Sequence, residues 1–565
     1  MRLMENMNAP QNSSIDQPVS GKNRTPFSQT MVELTKQEYI QLKWDSRYWR
    51  RQHDRSLARE AALKQEIERL QALNRDLKQR LYGKSSEKTV TTSEAQADEG
   101  KSSRPRGQKP NSQGHGRTER PHLSVIEEWH DLPPNQKLCP QCAKPRASTS
   151  KTEDSDILEI RVTAHVRRIK RRCYRGCGCP DVPFLITAPP APRLIPKSSL
   201  GVSVWVEVLL QKYQHSIPTN RLCSDLKTLG APISQGTITG GLQKLAPLFE
   251  PLSDALMEQH LTERLFHGDE TRWKVFEDIE GKIGHRWYLW LTRSASVVFF
   301  WMAPGRGADE IKAHMSDLNR DVTIVFVCDR YTAYQCWAKD FPLLLLAYCW
   351  AHVRRDFLEG AKAWPELASW MHTWVEIIGE LYHLNAERLA VWNQELPVAE
   401  QSEAFQVRHQ LLADGLKDMV TKRDCALADP DLQSAQKKVL SSLKNHWSGL
   451  TVFLDHPQTP MDNNKAENSA RNPATGRKNY YGSGAVWSAE LAAMLFSILQ
   501  TIRLWNINPR HWLHAYLTAC AENGGQPPTD LTPFLPWAMD ELRLCELKQP
   551  LKQTSVKPIH TPDTS

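Results

Sequence analysis

The feature that most constrains this chain is a set of three acidic residues in three different local contexts. Asp269 lies at the end of an apolar stretch in LFHGDETRWKV, and Asp329 ends the β-branched, apolar run VTIVFVCDRY. Glu467 lies near the start of a polar helical segment, MDNNKAENSARNPATGRKNYYGSG. Two strand-end carboxylates and one helical carboxylate can hold two divalent ions about 4 Å apart, one for each reacting oxygen of a phosphodiester. Magnesium, or manganese in its place, prefers such oxygen ligands.

A series of strands is predicted from residue 262 onward. ERLFHGDETRWKVFED, GHRWYLWLTRSASVVFFWMAP and DVTIVFVCDRY combine aromatic and β-branched residues with charged turns, which favours a hairpin followed by a parallel strand. PLLLLAYCWAHVRRDF indicates a further buried strand that runs into a helix. Acids that end the first and a later strand are typical of an RNase H-like sheet, so 256–358 is predicted to begin such a core. Glu270 follows Asp269 directly. Because successive side chains of a strand point to opposite faces of the sheet, the Glu270 side chain is predicted to point away from the face that Asp269 occupies.

The third acid is separated from the second by a long helical segment. Residues 359–455 are rich in Leu, Trp, Glu and Gln and predict an all-helical insertion. This insertion explains why Asp329 and Glu467 lie further apart in the chain than a compact sheet needs. The catalytic core is predicted to resume at 456–505 and to be followed by a C-terminal helical region at 506–550.

The helix that carries Glu467 is expected to begin at one of three polar residues that favour helix N-caps, namely Asp462, Asn463 and Asn464. Asp462 is also the alternative third acid. Arg471 lies four residues after Glu467 on the same helix face, where it could pair with the carboxylate or meet a phosphate. The following loop, GRKNYYGSG, combines Arg477 and Lys478 with two tyrosines and glycines. Charge and aromatic rings together favour contact with a DNA strand.

The N-terminal region predicts a dimerising helix. Residues 1–33 are polar and predicted to be a disordered tail, and residues 34–88 are predicted to form a helical coiled coil. Its seam alternates steps of four and three residues through Leu63, Ile67, Leu70, Asn74, Leu77 and Leu81. A buried Asn at an a position favours a parallel dimer in fixed register. The alternative is one amphipathic helix packed on its own domain.

Charge is distributed unevenly along the chain. The net charge of +8 is modest, but basic residues cluster at 101–120, at 167–175 and after Glu467, which favours nucleic-acid contact. Residues 89–122 are predicted to be a basic flexible linker, and 551–565 a disordered tail.

The longest apolar runs are far shorter than the about 20 residues of a membrane span. No signal peptide is apparent, so a cytoplasmic protein without membrane partners is expected.

Residues 191–255 predict a helical DNA-binding region. IPTNRLCSDLKTLG, APIS and QGTITGGLQKL are typical of a helix, a tight turn and a second helix. Gly230 is placed for a helix C-cap, and Ser234 can cap the next helix. This spacing is helix-turn-helix-like, with the second helix as the DNA reader. A purely structural helical hairpin is the alternative.

The cysteines predict a small metal module at 123–190. Five of the twelve lie between positions 139 and 179, and in a reducing compartment such a cluster favours metal over disulfides. Tetrahedral zinc needs four ligands, usually as two close pairs. Cys139 and Cys142 form the first pair, and the candidates for the second are Cys173, Cys177 and Cys179. Free buried thiols are the alternative.

Several segments resemble the insertion sequence 66 family of transposases. They are GDET, CDRYTAY, CWAHVRRDF (349–357) and DNNKAENSARNPATGRKNY, and the likeness runs from about residue 60 to about residue 545. These are DDE-type enzymes with an RNase H-like catalytic domain. The resemblance implies that Asp269, Asp329 and Glu467 are the catalytic acids and hold two magnesium or manganese ions.

The resemblance also bears on other candidate residues. Similar family members carry Cys-x-Cys before a proline, which implies that Cys177 and Cys179 complete one structural zinc site, with Cys173 paired to Cys177 as the alternative. The CWAHVRRDF segment contains His352 and Arg354, which either are structural or touch DNA.

The function implied by the resemblance is transposition of an insertion sequence. Such a protein binds the element's terminal inverted repeats, cuts to free a 3′-hydroxyl, and joins that end to target DNA. It is expected to act as at least a dimer in the bacterial cytoplasm, associated with the nucleoid. Similar elements often encode small accessory proteins, so such partners are expected too. The alternatives are a non-catalytic DNA-binding protein derived from a transposase and a hydrolytic RNase H-like nuclease.

The expected fold is a multidomain α+β chain. An RNase H-like α/β catalytic domain with an all-helical insertion is preceded by a coiled coil, a small zinc-binding module and a helix-turn-helix-like region.

Overall fold

The computed structural model divides the chain into two compact units, Met1–Ser112 and Gln113–Ser565. For residues 58 and 61–82 the backbone alone is described. The structure describes residues 33–82, 125, 127–128, 131–133, 136–137, 140–145, 157–158, 160, 162–175, 185–280 and 284–550.

The first unit contains a single long helix among its described residues, α1 (Lys36–Tyr82). A capping box begins it, because Thr35 Oγ1 accepts the backbone N–H of Glu38 at 3.3 Å, and the Glu38 carboxylate accepts the N–H of Thr35 at 2.8 Å. The predicted seam falls on this helix. Its side chains, Leu63 to Leu81, lie outside the described residues, so the coiled coil stays a prediction.

The cysteine-rich segment contains a short antiparallel ribbon. Strands β1 (Cys173–Arg175) and β2 (Leu185–Thr187) pair with Cys173 opposite Thr187, and their side chains lie 3.3 Å apart from sulfur to oxygen. Cys142 is an exposed free thiol. Three of the predicted zinc ligands, Cys139, Cys177 and Cys179, lie outside the described residues, so the zinc site also stays a prediction.

In the described part of the second unit, three helices precede the central sheet. They are α2 (Val202–Leu209), which continues into a π-helical turn at Leu210–Gln214, α3 (Thr219–Thr228) and α4 (Gln235–Leu261). The two residues predicted to form the turn between α3 and α4 adopt the expected conformations. Gly230 has a φ of +78°, and Ser234 Oγ accepts the N–H of Thr237 at 3.1 Å. Helix α4 is longer than the predicted second helix and passes through the expected boundary at residue 255, despite Pro247 and Pro251 within it.

A five-stranded mixed sheet forms the centre of the second unit. Its strands are β3 (Leu265–Lys274), β4 (Arg286–Arg293), β5 (Val298–Ala303), β6 (Ile324–Cys328) and β7 (Leu344–Tyr348). The order is β5-β4-β3-β6-β7, with β3, β4 and β5 antiparallel and β6 and β7 parallel to β3. The predicted hairpin followed by a parallel strand is therefore confirmed, and a third antiparallel strand extends it. Helices α5 (Ala308–His314) and α6 (Thr332–Lys339) contribute to the apolar core on one face of this sheet.

The predicted insertion is all-helical in the structure. The helical region begins earlier than the predicted residue 359, with α7 (Trp350–Ala363). It continues with α8 (Ala368–Leu389), α9 (Glu403–Leu427), α10 (Ser434–Asn445), α11 (Trp447–Leu450) and α12 (Val452–Asp455). These helices bury a core of their own that includes Trp350, Phe357 and Trp374. The buried guanidinium of Arg388 donates from Nη2 and Nη1 to the backbone carbonyls of Phe453 and Leu454 at 2.8 and 3.0 Å, which gives both terminal nitrogens partners within that core.

Four helices complete the second unit, namely α13 (Asn464–Tyr480), α14 (Val486–Leu504), α15 (Pro509–Glu522) and α16 (Glu541–Lys548). Helix α14 crosses β5, where Ser497 Oγ and Thr501 Oγ1 accept backbone N–H bonds from Phe300 and Val298. The largest apolar core joins α2, α4, the sheet, α14 and α15. The helix-turn-helix-like segment, the first part of the sheet and the C-terminal helices thus share one core. No helix in the described ranges is both long and apolar enough to cross a bilayer.

Candidate active site

Asp269 lies in the middle of β3, opposite Leu291 of β4, and not at the strand end where it was predicted, because antiparallel pairing with β4 continues the strand to Lys274. Its Oδ1 accepts the backbone N–H of Glu270 at 2.9 Å. Burial raises the pKa of Asp269 to about 7, and the negative charges of Glu270, Asp329 and Glu467 add to the rise. A carboxylate in this setting is stabilised in its charged form by a nearby cation.

Glu270 points to the other face of β3, as strand alternation predicts. Its carboxylate accepts the phenol of Tyr334 at 2.5 Å and the Nε of Arg306 at 2.8 Å, and its side chain is 2% exposed. Burial raises the pKa of Glu270, against the opposing effects of Tyr334 and Arg306. The Arg306 guanidinium also lies 3.9 Å from the ring centre of Tyr331. Glu270 is therefore part of an internal network and not of the cavity that Asp269 lines.

Asp329 directly follows β6, the parallel neighbour of β3. Its Oδ1 accepts the backbone N–H of Tyr331 at 2.9 Å, so the side chain turns the backbone at the end of the strand. Because β3 and β6 run in parallel next to each other, Asp269 and Asp329 come to line the same cavity.

Glu467 lies in the first turn of α13, whose start is fixed by Asn463. Asn463 is one of the three residues predicted as possible caps and occupies the N-cap position, but its side chain does not cap the helix. Its Nδ2 donates to the Gly268 carbonyl at 2.7 Å, and its Oδ1 lies 3.2 Å from His267 Nδ1. Asp462 instead accepts the N–H of Asn464 at 3.1 Å. The Asn463 amide bonds to the buried Gly268 carbonyl and His267 ring because leaving these buried groups unpaired costs more free energy than leaving the solvent-accessible N–H groups of the helix start without a side-chain cap.

The three acids line one cavity of about 300 Å³, although they come from distant parts of the sequence. The other lining residues are His352, Arg355, Asn463, Ala470, Arg471 and Ala474. Three carboxylates that converge in a partly buried space repel one another, and Glu467 Oε1 has no hydrogen-bond partner within the described part of the chain. Hard divalent cations suit this donor set, since magnesium and manganese favour carboxylate oxygen ligands.

The basic residues predicted to touch DNA fall in different settings. Arg471 is exposed and lines the cavity. His352 is a quarter exposed, with its Nδ1 3.8 Å from Glu467 Oε1. Arg354 is exposed on α7 but does not line the cavity, whereas Arg355 does, with Nη2 3.9 Å from Glu467 Oε2. Sequence reasoning missed Arg355, although it lies three residues after His352 and thus on the same helix face.

Residues 476–484, predicted as a loop after Glu467, are helical up to Tyr480, where α13 ends. This end of α13 is attached to the far end of β3. Arg477 donates to Thr271 Oγ1 at 2.9 Å and to the Arg272 carbonyl, which holds its guanidinium against the strand. Ser483 donates its N–H to the Lys274 carbonyl at 2.8 Å. Gly482 has a φ of +144°, and a Cβ there would lie 2.2 Å from that carbonyl oxygen, so this close approach requires glycine.

The side chains at the end of α13 differ in exposure. Lys478 is exposed. Tyr481 is 70% exposed, whereas Tyr480 packs against Trp273 and lies under the Lys212 ammonium, 4.8 Å from its ring centre. Of the two tyrosines, Tyr481 is therefore the one that presents a free ring.

Comparison with known proteins places this arrangement in a family. The profile of the transposase IS66 family matches residues 197–491, more than half of the chain, and this range contains all three acids. Three relatives from Sinorhizobium fredii are similar over most of their length, and all are described as uncharacterized proteins. Protein y4jD is 26% identical over 74% of this chain and 80% of its own. Protein y4hP is 24% identical over 62% and 65%, and y4qI is 22% identical over 74% and 76%. The chain belongs to the IS66 family of transposases.

Proposed function

We propose that this protein is a DDE transposase that cuts and joins DNA at the ends of its insertion sequence. The observation that carries the proposal is the convergence of Asp269, Asp329 and Glu467 on one cavity. The sheet order, with an antiparallel β3-β4-β5 and two parallel strands beside β3, supports an RNase H-like core.

The three acids are the proposed ligands for two magnesium or manganese ions. When bound, such ions neutralise charge on a phosphodiester and stabilise the negative charge on both the attacking and the leaving oxygen. The protein's contribution is to hold the carboxylates in place. Asp269 is fixed by strand pairing, Asp329 by its bond to the Tyr331 N–H, and Glu467 by the anchored start of α13.

The cavity rim suits a DNA backbone. Arg471 and Arg355 contribute positive charge next to the carboxylates, and exposed Lys478 and Tyr481 extend this surface along the chain. Basic groups neutralise phosphates, and an exposed ring can stack on an unpaired base. His352 and Arg354 on α7 and Arg477 after Glu467 remain further proposed DNA contacts.

The remaining parts are proposed to assemble and orient the complex. The helix-turn-helix-like segment would read the terminal inverted repeats, and one zinc ion held by Cys139, Cys142, Cys177 and Cys179 would order the cysteine-rich module. The coiled coil in 34–88 would pair two chains, so that two DNA ends are held together before joining. Sedimentation equilibrium of the full chain and of an Asn74→Leu variant tests this pairing. A wild-type monomer at tens of micromolar contradicts it.

The decisive experiment measures cleavage and joining of a duplex that carries the element's terminal repeat, with Mg²⁺ or Mn²⁺. The Asp269→Asn, Asp329→Asn and Glu467→Gln variants are each expected to lose both reactions and still bind the duplex. Asp462→Asn is the matched control, because this acid lies next to the same helix start but does not line the cavity. Near-native activity in any of the three variants contradicts the assignment of that residue.

The same assay separates the transposase from the two alternatives. A hydrolytic nuclease would cut the duplex and give no joined product. A non-catalytic DNA-binding relative would bind the repeat and do neither.

A further inference from the structure

Two buried polar atoms face each other at the edge of the cavity without a hydrogen bond. His352 Nδ1 and Glu467 Oε1 are 3.8 Å apart, which is too far for such a bond. Neither atom has a hydrogen-bond partner among the residues that the structure describes. An ion between two such atoms is one physical explanation for a buried polar pair that makes no hydrogen bond.

A third potential ligand completes this pair. The Sγ of Cys349, a ring nitrogen of His352 and a carboxylate oxygen of Glu467 all lie within 4.8 Å of one another. Cys349 is the residue before α7, and His352 lies in the first turn of that helix. Glu467 lies in the first turn of α13, so two helix starts bring the three side chains together.

The two helix starts are held together by backbone bonds. Trp350 donates its N–H to the Met461 carbonyl at 2.8 Å, and Asn463 donates its N–H to Cys349 Sγ at 3.2 Å. These two bonds thus position the two helix starts, and with them the backbone of all three ligand residues, next to each other.

The donor set is that of a borderline-soft cation. Sulfur, imidazole nitrogen and carboxylate oxygen are the ligands of zinc, whereas magnesium takes oxygen. With zinc–ligand distances of about 2.1 Å, tetrahedral geometry puts a nitrogen and an oxygen roughly 3.4 Å apart. The observed 3.8 Å needs only a small contraction to meet that geometry.

We propose that Cys349, His352 and Glu467 form a binding site for a zinc-class divalent cation beside the three-carboxylate site. Binding replaces the thiol proton of Cys349, which passes to solvent, by a sulfur–metal bond. Since Glu467 belongs to both ligand sets, an ion here withdraws its carboxylate from the magnesium site. Zinc is then an inhibitor of the magnesium-dependent reaction, and this second statement rests on the proposed function.

The first test counts metal and needs no activity. Full-length wild type, Cys349→Ser and His352→Gln are dialysed against micromolar zinc in the presence of millimolar magnesium, and bound zinc is measured by elemental analysis. Cys520→Ser is the control, because Cys520 is an equally buried thiol on α15 that takes no part in the cluster. We expect both site variants to hold one zinc ion fewer per chain than wild type and the control. Equal zinc in all four proteins overturns the site.

Folding is checked on the same samples. Thermal melts in metal-free buffer show which variants are folded. If Cys349→Ser does not fold, the zinc content of His352→Gln relative to wild type decides the result. Cobalt gives a second reading, since a thiolate–cobalt bond has its own charge-transfer absorption. The band should be weaker in Cys349→Ser than in Cys520→Ser, and equal bands count against a Cys349 ligand.

The second test concerns inhibition. Zinc is titrated into the magnesium-dependent cleavage assay, and each variant is compared with its own zinc-free rate. Loss of a ligand should raise the half-inhibitory zinc concentration by at least about tenfold, as the loss of even a supporting residue does at other metal sites. An unchanged curve in variants that have lost the ion overturns the inhibitory role. If wild type does not cleave at all, the proposed function fails, and the metal count still decides the site.

Discussion

The side-chain amide of Asn463 donates a 2.7 Å hydrogen bond to the carbonyl oxygen of Gly268. These residues come from opposite sides of the helical insertion. Gly268 immediately precedes Asp269, and Asn463 lies one helical turn before Glu467. One hydrogen bond thus links the backbone next to the first acid with the helix that carries the third.

Replacing Asn463 by Ala should lower both stability and activity. The change leaves the Gly268 carbonyl and His267 Nδ1 unpaired in a buried place, which costs about 1–3 kcal/mol in the free energy of unfolding. Cleavage should fall further than stability explains, because α13 loses its link to β3. Urea unfolding and the cleavage assay measure the two effects. Asn464→Ala is the control on an exposed neighbour, and equal losses in both variants would contradict the anchoring role.

A methyl group at Gly268 should strain the sheet. A Cβ built there would lie 2.2 Å from the Cζ of Phe326, a fully buried ring on the neighbouring strand. Overpacking of this kind costs about 1–3 kcal/mol. Gly268→Ala should therefore lower the free energy of unfolding by about 1–3 kcal/mol, which is measured as a lower urea midpoint. Phe326→Leu removes the clash and should recover part of the loss in the double variant. Simple additivity of the two changes would show that the contact is not the cause.

Local sequence signals predicted several strands and helices, but neither all of their ends nor their packing partners. The apolar run that ends at Asp329 predicted β6, and Gly230 and Ser234 predicted the turn between α3 and α4, because these signals act within a few residues. Helix α4, in contrast, continues beyond residue 255 because its apolar face joins the core with α14 and the sheet. No local pattern contains that information.

The same limit applies to the candidate site. The contexts of the three acids could be recognised in the sequence, and the structure brings all three to one cavity. The Asn463 side chain could not be assigned from local preference, since its partners lie almost two hundred residues earlier in the chain. Arg477 looked like a free cation for the same reason, because its acceptors are on β3.

Two consecutive arginines on α7 provide an internal comparison. Arg355 lines the cavity with its guanidinium 3.9 Å from Glu467, whereas Arg354 is exposed outside it. Arg355→Ala should therefore lower the cleavage rate about tenfold, equivalent to about 1.4 kcal/mol in activation free energy. Arg354→Ala should have a smaller effect on the rate at saturating DNA. The reverse order in single-turnover assays would show that the outer arginine is the functional one.

His260 on α4 is fully buried between two hydroxyl groups. Its Nδ1 lies 3.0 Å from Ser294 Oγ, and its Nε2 lies 2.9 Å from Thr292 Oγ1. Burial lowers the pKa of His260 to about 3, from 6.5 for a solvated imidazole. The ring is therefore neutral in the folded protein over the whole range in which the unfolded chain takes up a proton.

This difference predicts a loss of stability in mild acid. A histidine with a lowered folded-state pKa contributes its full stability above pH 6.5 and loses it as the pH falls toward 3, because protons then bind the unfolded chain preferentially. At pH 5 the loss from His260 alone is about 2 kcal/mol relative to pH 7.5. Urea midpoints at the two pH values should therefore differ less in His260→Gln than in wild type. His383→Gln, at an exposed position, is the control and should keep the wild-type difference. An unchanged pH dependence in His260→Gln would mean that the imidazole is charged inside the fold, which two neutral hydroxyl partners do not support.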